Sequence, residues 1–242
     1  MSRVVNFEIF RPVLEKALAR SNGTKGGRPA YDCVVMFKAL VLAAQHNLSD
    51  QRLEFLIRDR LSWMRFLGLD LGKPTPDENT LRLFREQLTN ADAIRPLFTA
   101  FDQQLRKTGY LAMGGQLLDA TLVSAPRQHN NDDEKKAIKA GKSAAEIWSE
   151  EPAKAAQKDV DARWTVKFSK AKLVLEGQKR VIDIAIPTFG YKNHIGIDQR
   201  FGFIRTYQVT HAARHDGAQL PDLVYTTNTS SKVWAEEVVW GI

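Results

Sequence analysis

The hydrophobic pattern of this chain changes once, at Gly114-Gly115, and that change constrains the fold more than any other feature. Before it, apolar residues recur at the three- and four-residue spacing of amphipathic helices. After it, they come in short β-branched runs bounded by Gly, Pro and Asn, as strands do. The chain therefore reads as α+β, with a helical region over residues 1–110 and a mixed β-sheet over 111–242.

The helical region divides at its caps. Val34, Val35, Phe37, Leu40, Val41 and Leu42 are apolar almost all round, which predicts a helix buried on several sides. Ser49 is a good N-cap, with Leu48 placed to staple onto Leu53; Leu53, Leu56, Ile57, Leu61 and Met64 then share one face until Gly68 and Gly72-Pro74 end the helical stretch. In PTPDENTLRLFREQL (74–88), Thr75 and Glu78 suggest a capping box with Pro76 at the first helical position; Leu81, Phe84 and Leu88 face inward, Arg82 and Arg85 outward. Ile94, Leu97, Phe98, Phe101 and Leu105 form a last stripe, starting near Pro96 and stopped by Gly109. Short helices with arginines on one outer face suit either a helix-turn-helix DNA reader or an ordinary bundle.

Past the glycines, GQLLDATLVSAP (115–126) reads as a strand, followed by a polar, Lys- and Glu-rich insertion over 127–160, flexible or partly helical. Strands resume in VIDIAIP (181–187), GYKNHIGID (190–198) and FGFIRTYQVT (201–210), with a hairpin turn at DQRFG. Asp216 and Gln219 resemble a capping box for a short helix interrupted by Pro221, and KVWAEEVVWGI (232–242) reads as a closing strand. No internal repeat is present.

Charge narrows the class of partner. The net charge is +7, with 17 basic and 12 acidic residues over 1–110, 13 and 10 over 111–180, and 5 and 6 over 181–242. Surplus Lys and Arg suit a polyanion such as nucleic acid, because they release counterions from phosphates. KDVDARWTVKFSKAK (158–172) interleaves Arg163, Lys167 and Lys170 with Trp164, a mix fit for phosphate contact plus stacking, or equally for a solvated loop. The single Cys33 excludes an internal disulfide and a cysteine zinc site, and the longest apolar run, Val34 to Ala44, is too short for a bilayer and contains Lys38. A cytoplasmic protein without a membrane segment is the expectation.

The most informative residue is Asp119, a carboxylate inside an apolar strand. Ionised burial there costs several kcal/mol unless compensated, and a divalent cation is one effective compensation; a salt bridge is another. Hard Mg²⁺ takes such carboxylates in phosphoryl-transfer enzymes. Asp119, Thr121 and Val123 alternate onto one face. Lys192 and His194 share a face of their own strand and are expected on Asp119's side, toward a phosphate or simply toward solvent. The five histidines fall in no zinc spacing, and no Walker loop, GxGxxG or serine-hydrolase elbow is present.

These segments, LLDATLVSAPRQHNNDDEKKAIKAGK, KDVDARWTVKFSKAK, IDIAIPTFGYKNHIGIDQRFGFIRTYQVTHAARHDGA and NTSSKVWA, together resemble the DDE transposases of the bacterial insertion-sequence-five group, and PTPDENTLRLFREQL resembles their N-terminal DNA-binding region. The resemblance implies a helical DNA-binding domain over 1–110. It also implies an RNase H-like catalytic domain over 111–242, a mixed β-sheet core in the order of three strands, a helix and a fourth strand, here incomplete and carrying a charged insertion at about 127–180. In the family, three carboxylates hold two Mg²⁺ (or Mn²⁺) ions for strand cleavage and transfer at terminal inverted repeats, with a homodimer expected on DNA. Asp119 matches the first catalytic Asp. Glu236 stands where the family carries its second Asp, after Val-Trp-Ala, and its extra methylene shifts the carboxylate by about 1.5 Å where ~0.5 Å matters. The sequence stops six residues later, before the helix expected to carry the third carboxylate. The resemblance thus predicts a truncated or frame-shifted, cleavage-defective enzyme, with a non-catalytic DNA-binding fragment or a decayed reading frame as alternatives. Expected DNA contacts are Arg82, Arg85, Arg163, Trp164, Lys167, Lys170, Lys192 and His194.

Overall fold

The computed structural model describes residues 5–18, 30–168 and 184–235, which form two compact units, Met1–Tyr110 and Leu111–Ile242. Lys170 and Glu236 lie outside the described residues. No described helix is long and apolar enough to cross a membrane.

In the first unit a 3₁₀ turn, Phe7–Phe10, precedes α1 (Arg11–Leu18), α2 (Cys33–His46), α3 (Asp50–Asp59), α4 (Leu61–Leu67), α5 (Glu78–Asn90) and α6 (Ile94–Lys107). Apolar residues all round α2 leave it at the centre: Val34, Met36, Ala39 and Leu42 are buried, and Val35, Phe37, Leu40 and Val41 pack on the same core. Asp32 starts α2 by accepting the Val34 and Val35 N–H bonds, and Asn47 in the left-handed region closes it. Leu14, Leu53, Ile57, Leu81 and Leu88 come in from neighbouring helices, each buried Leu or Ile stabilising by roughly 1.5–3 kcal/mol.

Three local expectations are corrected in this unit. The stretch after Ser49 is two helices, because Arg60 is extended (φ −107°, ψ 106°); the break rotates the pattern so that Trp63 and Met64 are buried and Leu61 is exposed. Asp77 caps α5, accepting the Thr80 N–H at 2.7 Å. Thr75 instead accepts from Arg58 Nε, the Glu78 N–H donates to the Glu54 carboxylate, and Pro76 is buried just outside the helix. Ile94, at the head of the α6 stripe, is exposed, whereas Leu97 and Leu105 are buried.

The second unit is built on a sheet of β1 (Gln116–Ser124), β2 (Arg163–Phe168), β3 (Ala185–Asp198), β4 (Ile204–His211) and β5 (Val233–Ala235). β3 pairs antiparallel with β1, β2 and β4, and β5 pairs parallel with β1, giving the path β4-β3-β1-β5. Residues 185–198 are one strand rather than two, because β2 supports the part before Gly190 while β1 and β4 support the rest. At Gly190 (φ +152°) a Cβ would run into the Val123 carbonyl and lie 2.8 Å from the Ala125 nitrogen. Residues 127–160 are ordered as α7 (Asp132–Lys139), α8 (Ala144–Ile147) and α9 (Pro152–Gln157). Two capping boxes start α7 and α8, Asn131 with Glu134 and Ser143 with Glu146. Buried Trp148 donates Nε1–H to Glu134, and this bond, with help from the Asn131 N–H and Lys154, holds the Glu134 carboxyl down at about 2.

The β3–β4 hairpin closes over a buried ion pair. Asp198 accepts from the Phe201 and Phe203 N–H groups and from Arg205 Nε at 3.1 Å, and both charged side chains are essentially inaccessible. After β4 comes a 3₁₀ turn, Asp216–Gln219, and α10 (Leu220–Leu223). Thr206 Oγ1 donates to the Leu223 carbonyl at 2.6 Å, an approach that Gly196 permits because a Cβ there would meet that carbonyl at 3.0 Å.

Candidate functional site

Strand register decides which candidate residues can act together. Asp119 pairs with Ile195, and Ala120 with His194, so directly opposed side chains put Asp119, Thr121, Val123, Asn193 and Ile195 on one face. Lys192 and His194 fall on the other, with Leu118, Ala120 and Leu122. The expectation that they flank Asp119 is therefore corrected. Each residue lies on the face that its own strand alternation gives it, but the relative register of β1 and β3 was invisible in either segment alone.

The covered face carries a cleft of about 300 Å³ between the sheet and the Asp216 turn, reaching Asp119 and Ala235 at the β1–β5 end. Lys192 Nζ donates to Asp216 Oδ1 at 2.8 Å and to the Arg214 carbonyl at 2.8 Å. His194 is buried, with Nε2 2.8 Å from Thr210 Oγ1 and Nδ1 3.9 Å from Asp216. Burial, then the nearby Lys192 charge, push its pKa below the usual 6.5 against the pull of Asp216. A neutral imidazole beside a neutralised ammonium makes this cluster a clasp between β3 and the turn. An incoming phosphate would have to displace Asp216 to reach Lys192. Asp216 is not the N-cap of that turn, because His215 Nδ1 accepts the Gly217 N–H and leaves the carboxylate free for Lys192.

Asp119 is exposed on the open face, and its Oδ1 accepts the Ala120 N–H at 2.7 Å. Exposure removes the desolvation cost for which a cation was one expected compensation and a salt bridge another. Among the described residues no group of three His, Cys, Asp or Glu side chains is placed to hold a metal ion. Among the described residues Asp119 is the one expected carboxylate ligand, and by itself it does not supply the several oxygen ligands that each Mg²⁺ or Mn²⁺ ion needs.

The other expected DNA contacts divide by what already holds them. Arg85 makes a two-pronged pair with Asp50, 2.8 and 2.5 Å, which links α5 to α3 and lowers the Asp50 pKa. Arg82 pairs with Glu86 one turn on. Arg163 donates to the Val160 and Ala162 carbonyls, closing the turn before β2. Trp164 and Lys167 are exposed, on opposite faces of β2. Sequence reasoning missed Arg52, Arg60 and Arg65. Among the described residues these three have no carboxylate within ion-pair distance; Arg52 lies over Phe55 and Arg60 over Trp63. The missing signal was pairing: Arg82 and Arg85 of α5 have acidic partners at Glu86 and Asp50, and Arg58 of α3 has Glu54, whereas Arg52, Arg60 and Arg65 have none among the described residues.

An α+β protein with a helical unit and a mixed-sheet unit is the class that the geometry defines. Residues 1–87 match the family described as Transposase domain (DUF772), a match that runs from the first 3₁₀ turn into α5. The helical unit is thus similar to a transposase domain, which makes transposase-like function the supported reading. No solved structure matches the chain.

Proposed function

We propose that this protein binds double-stranded DNA at transposon terminal inverted repeats through its helical unit, and that it does so without cutting. The observation that carries the reading is the transposase-domain match over residues 1–87, in the unit that also presents Arg52, Arg60 and Arg65 without an acidic partner among the described residues. Further support comes from the second unit. With β2 and the insertion helices set aside, β1, β3 and β4, then a helical segment, then β5 follow the order of three strands, a helix and a strand implied by a resemblance to DDE transposases of the insertion-sequence-five group and their RNase H-like core. The absence of cleavage is proposed because Asp119 has no companion carboxylate among the described residues.

Gel-shift titration against the inverted repeats flanking the coding sequence tests the binding. Preference for the repeat over random duplex by at least about tenfold at moderate salt is expected. Equal affinity for both overturns the reading. Incubation of labelled repeat DNA with Mg²⁺ or Mn²⁺ tests the second half; nicking that disappears in Asp119→Ala would show that the chain cuts.

A further inference from the structure

Far from the cleft, the open face of the sheet carries an aromatic surface with its own cation. Trp164 pairs with Phe189, and the alternation along β3 that places Ile195 on Asp119's face places Phe189, and hence Trp164, there as well. The indole is 51% exposed. Its ring centroid is 5.5 Å from that of Phe189, and the Arg127 guanidinium stands 5.4 Å from the ring centroid. Arg127 is exposed and, among the described residues, has no carboxylate within ion-pair distance. Ile195, opposite Asp119, and Phe189, opposite Trp164, are six residues apart on one strand, about 20 Å at the rise of an extended chain.

We propose that Trp164, Phe189 and Arg127 form a stacking site for an unpaired nucleobase, the indole taking the base and the guanidinium its neighbouring phosphate. Charge and shape favour this occupant. An apolar protein surface laid on the indole would bury the Arg127 charge without a partner, whereas a nucleotide brings a π-face and a phosphate side by side. Bases inside a duplex are already stacked on one another and present no free face, so the ligand is single-stranded or locally unpaired DNA. The inference rests on the reading of the chain as a DNA-binding protein, but it concerns the sheet unit rather than the helical one.

The test uses the full chain without divalent metal and two probes: a short single strand with 2-aminopurine at its centre, and the terminal-repeat duplex. Trp164→Ala is expected to bind the single strand at least about fivefold more weakly and to lose the fluorescence change of the stacked probe, with duplex affinity unchanged. Trp164→Phe should restore most of the binding. Arg127→Ala should reduce the slope of log affinity against log salt by about 0.7 for the single strand. Unchanged single-strand binding in Trp164→Ala overturns the inference, as does an equal loss on both probes. Loss of self-association in Trp164→Ala would show that a second copy occupies the surface, and also overturns it. Trp164-dependent stacking in a protein that fails to prefer repeat duplex would uphold the site while sinking the proposed function.

Discussion

Replacing Asp198 by Ala removes the acceptor for three donors at once: the Phe201 and Phe203 N–H groups that shape the β3–β4 turn, and the Arg205 guanidinium. Asp198 is 0% exposed, so water does not take its place. Truncating one partner of a buried ion pair costs about 3–5 kcal/mol. For a unit the size of Leu111–Ile242, about 4 kcal/mol corresponds to a drop of roughly 14 °C in melting temperature. Arg205→Met should cost less, because the carboxylate keeps its two turn N–H partners. The double variant should then fall well short of the sum of the two single changes, since the two side chains are in direct contact. Thermal unfolding followed by circular dichroism on the four proteins measures the cycle. A shift below about 3 °C for Asp198→Ala, or strict additivity in the double variant, would refute the claim that this pair and turn hold the sheet unit together.

Gly190→Ala should destabilise the sheet unit by about 2 kcal/mol or more, read from urea midpoints, because its Cβ would press on the Val123 carbonyl at a backbone angle that favours glycine. His194 is held neutral by burial, its folded pKa below the unfolded value near 6.5. Its contribution to stability is therefore present above pH 6.5 and is lost as pH falls through and below that value; His194→Gln should lose less stability than the parent between pH 7.5 and 5.5. Arg85→Ala should cost no more than about 1 kcal/mol of stability, because the Arg85–Asp50 pair is partly exposed. It should also weaken duplex binding less than Arg52→Ala or Arg65→Ala, as gel-shift titration would show; the reverse order would place the DNA on α5.

The helical spacing of residues 33–46 and the stripes of α5 and α6 could be read from the chain because helix periodicity is local: residues three and four apart share a face whatever the rest of the protein does. The strand character of 116–124, and the separation of Asp119 from Leu118 and Ala120, follow from alternation in the same way. The insertion reads only as flexible or partly helical, because its polar composition hid the Asn131–Glu134 and Ser143–Glu146 capping boxes that start α7 and α8. The breaks were harder. Nothing within 49–67 marks Arg60 as extended, and the cap of α5 moved from Thr75 to Asp77 because Arg58 and Glu54 of another helix hold Thr75 and the Glu78 N–H.

Sequence alone determined the class of the two halves, the faces within each strand and helix, and the basic character that points to a polyanion, since these depend on local spacing and composition. Tertiary structure decided the site. Only the pairing of β1 with β3 puts Lys192 and His194 across the sheet from Asp119; only the Asp216 turn neutralises Lys192; and only the partners of Arg82, Arg85 and Arg163 show which cations are already engaged. A strand's register against its neighbour and a charge's partner are properties of residues distant in sequence. They are fixed when the chain packs, by the energy of directly opposed side chains and of buried charges that must be met.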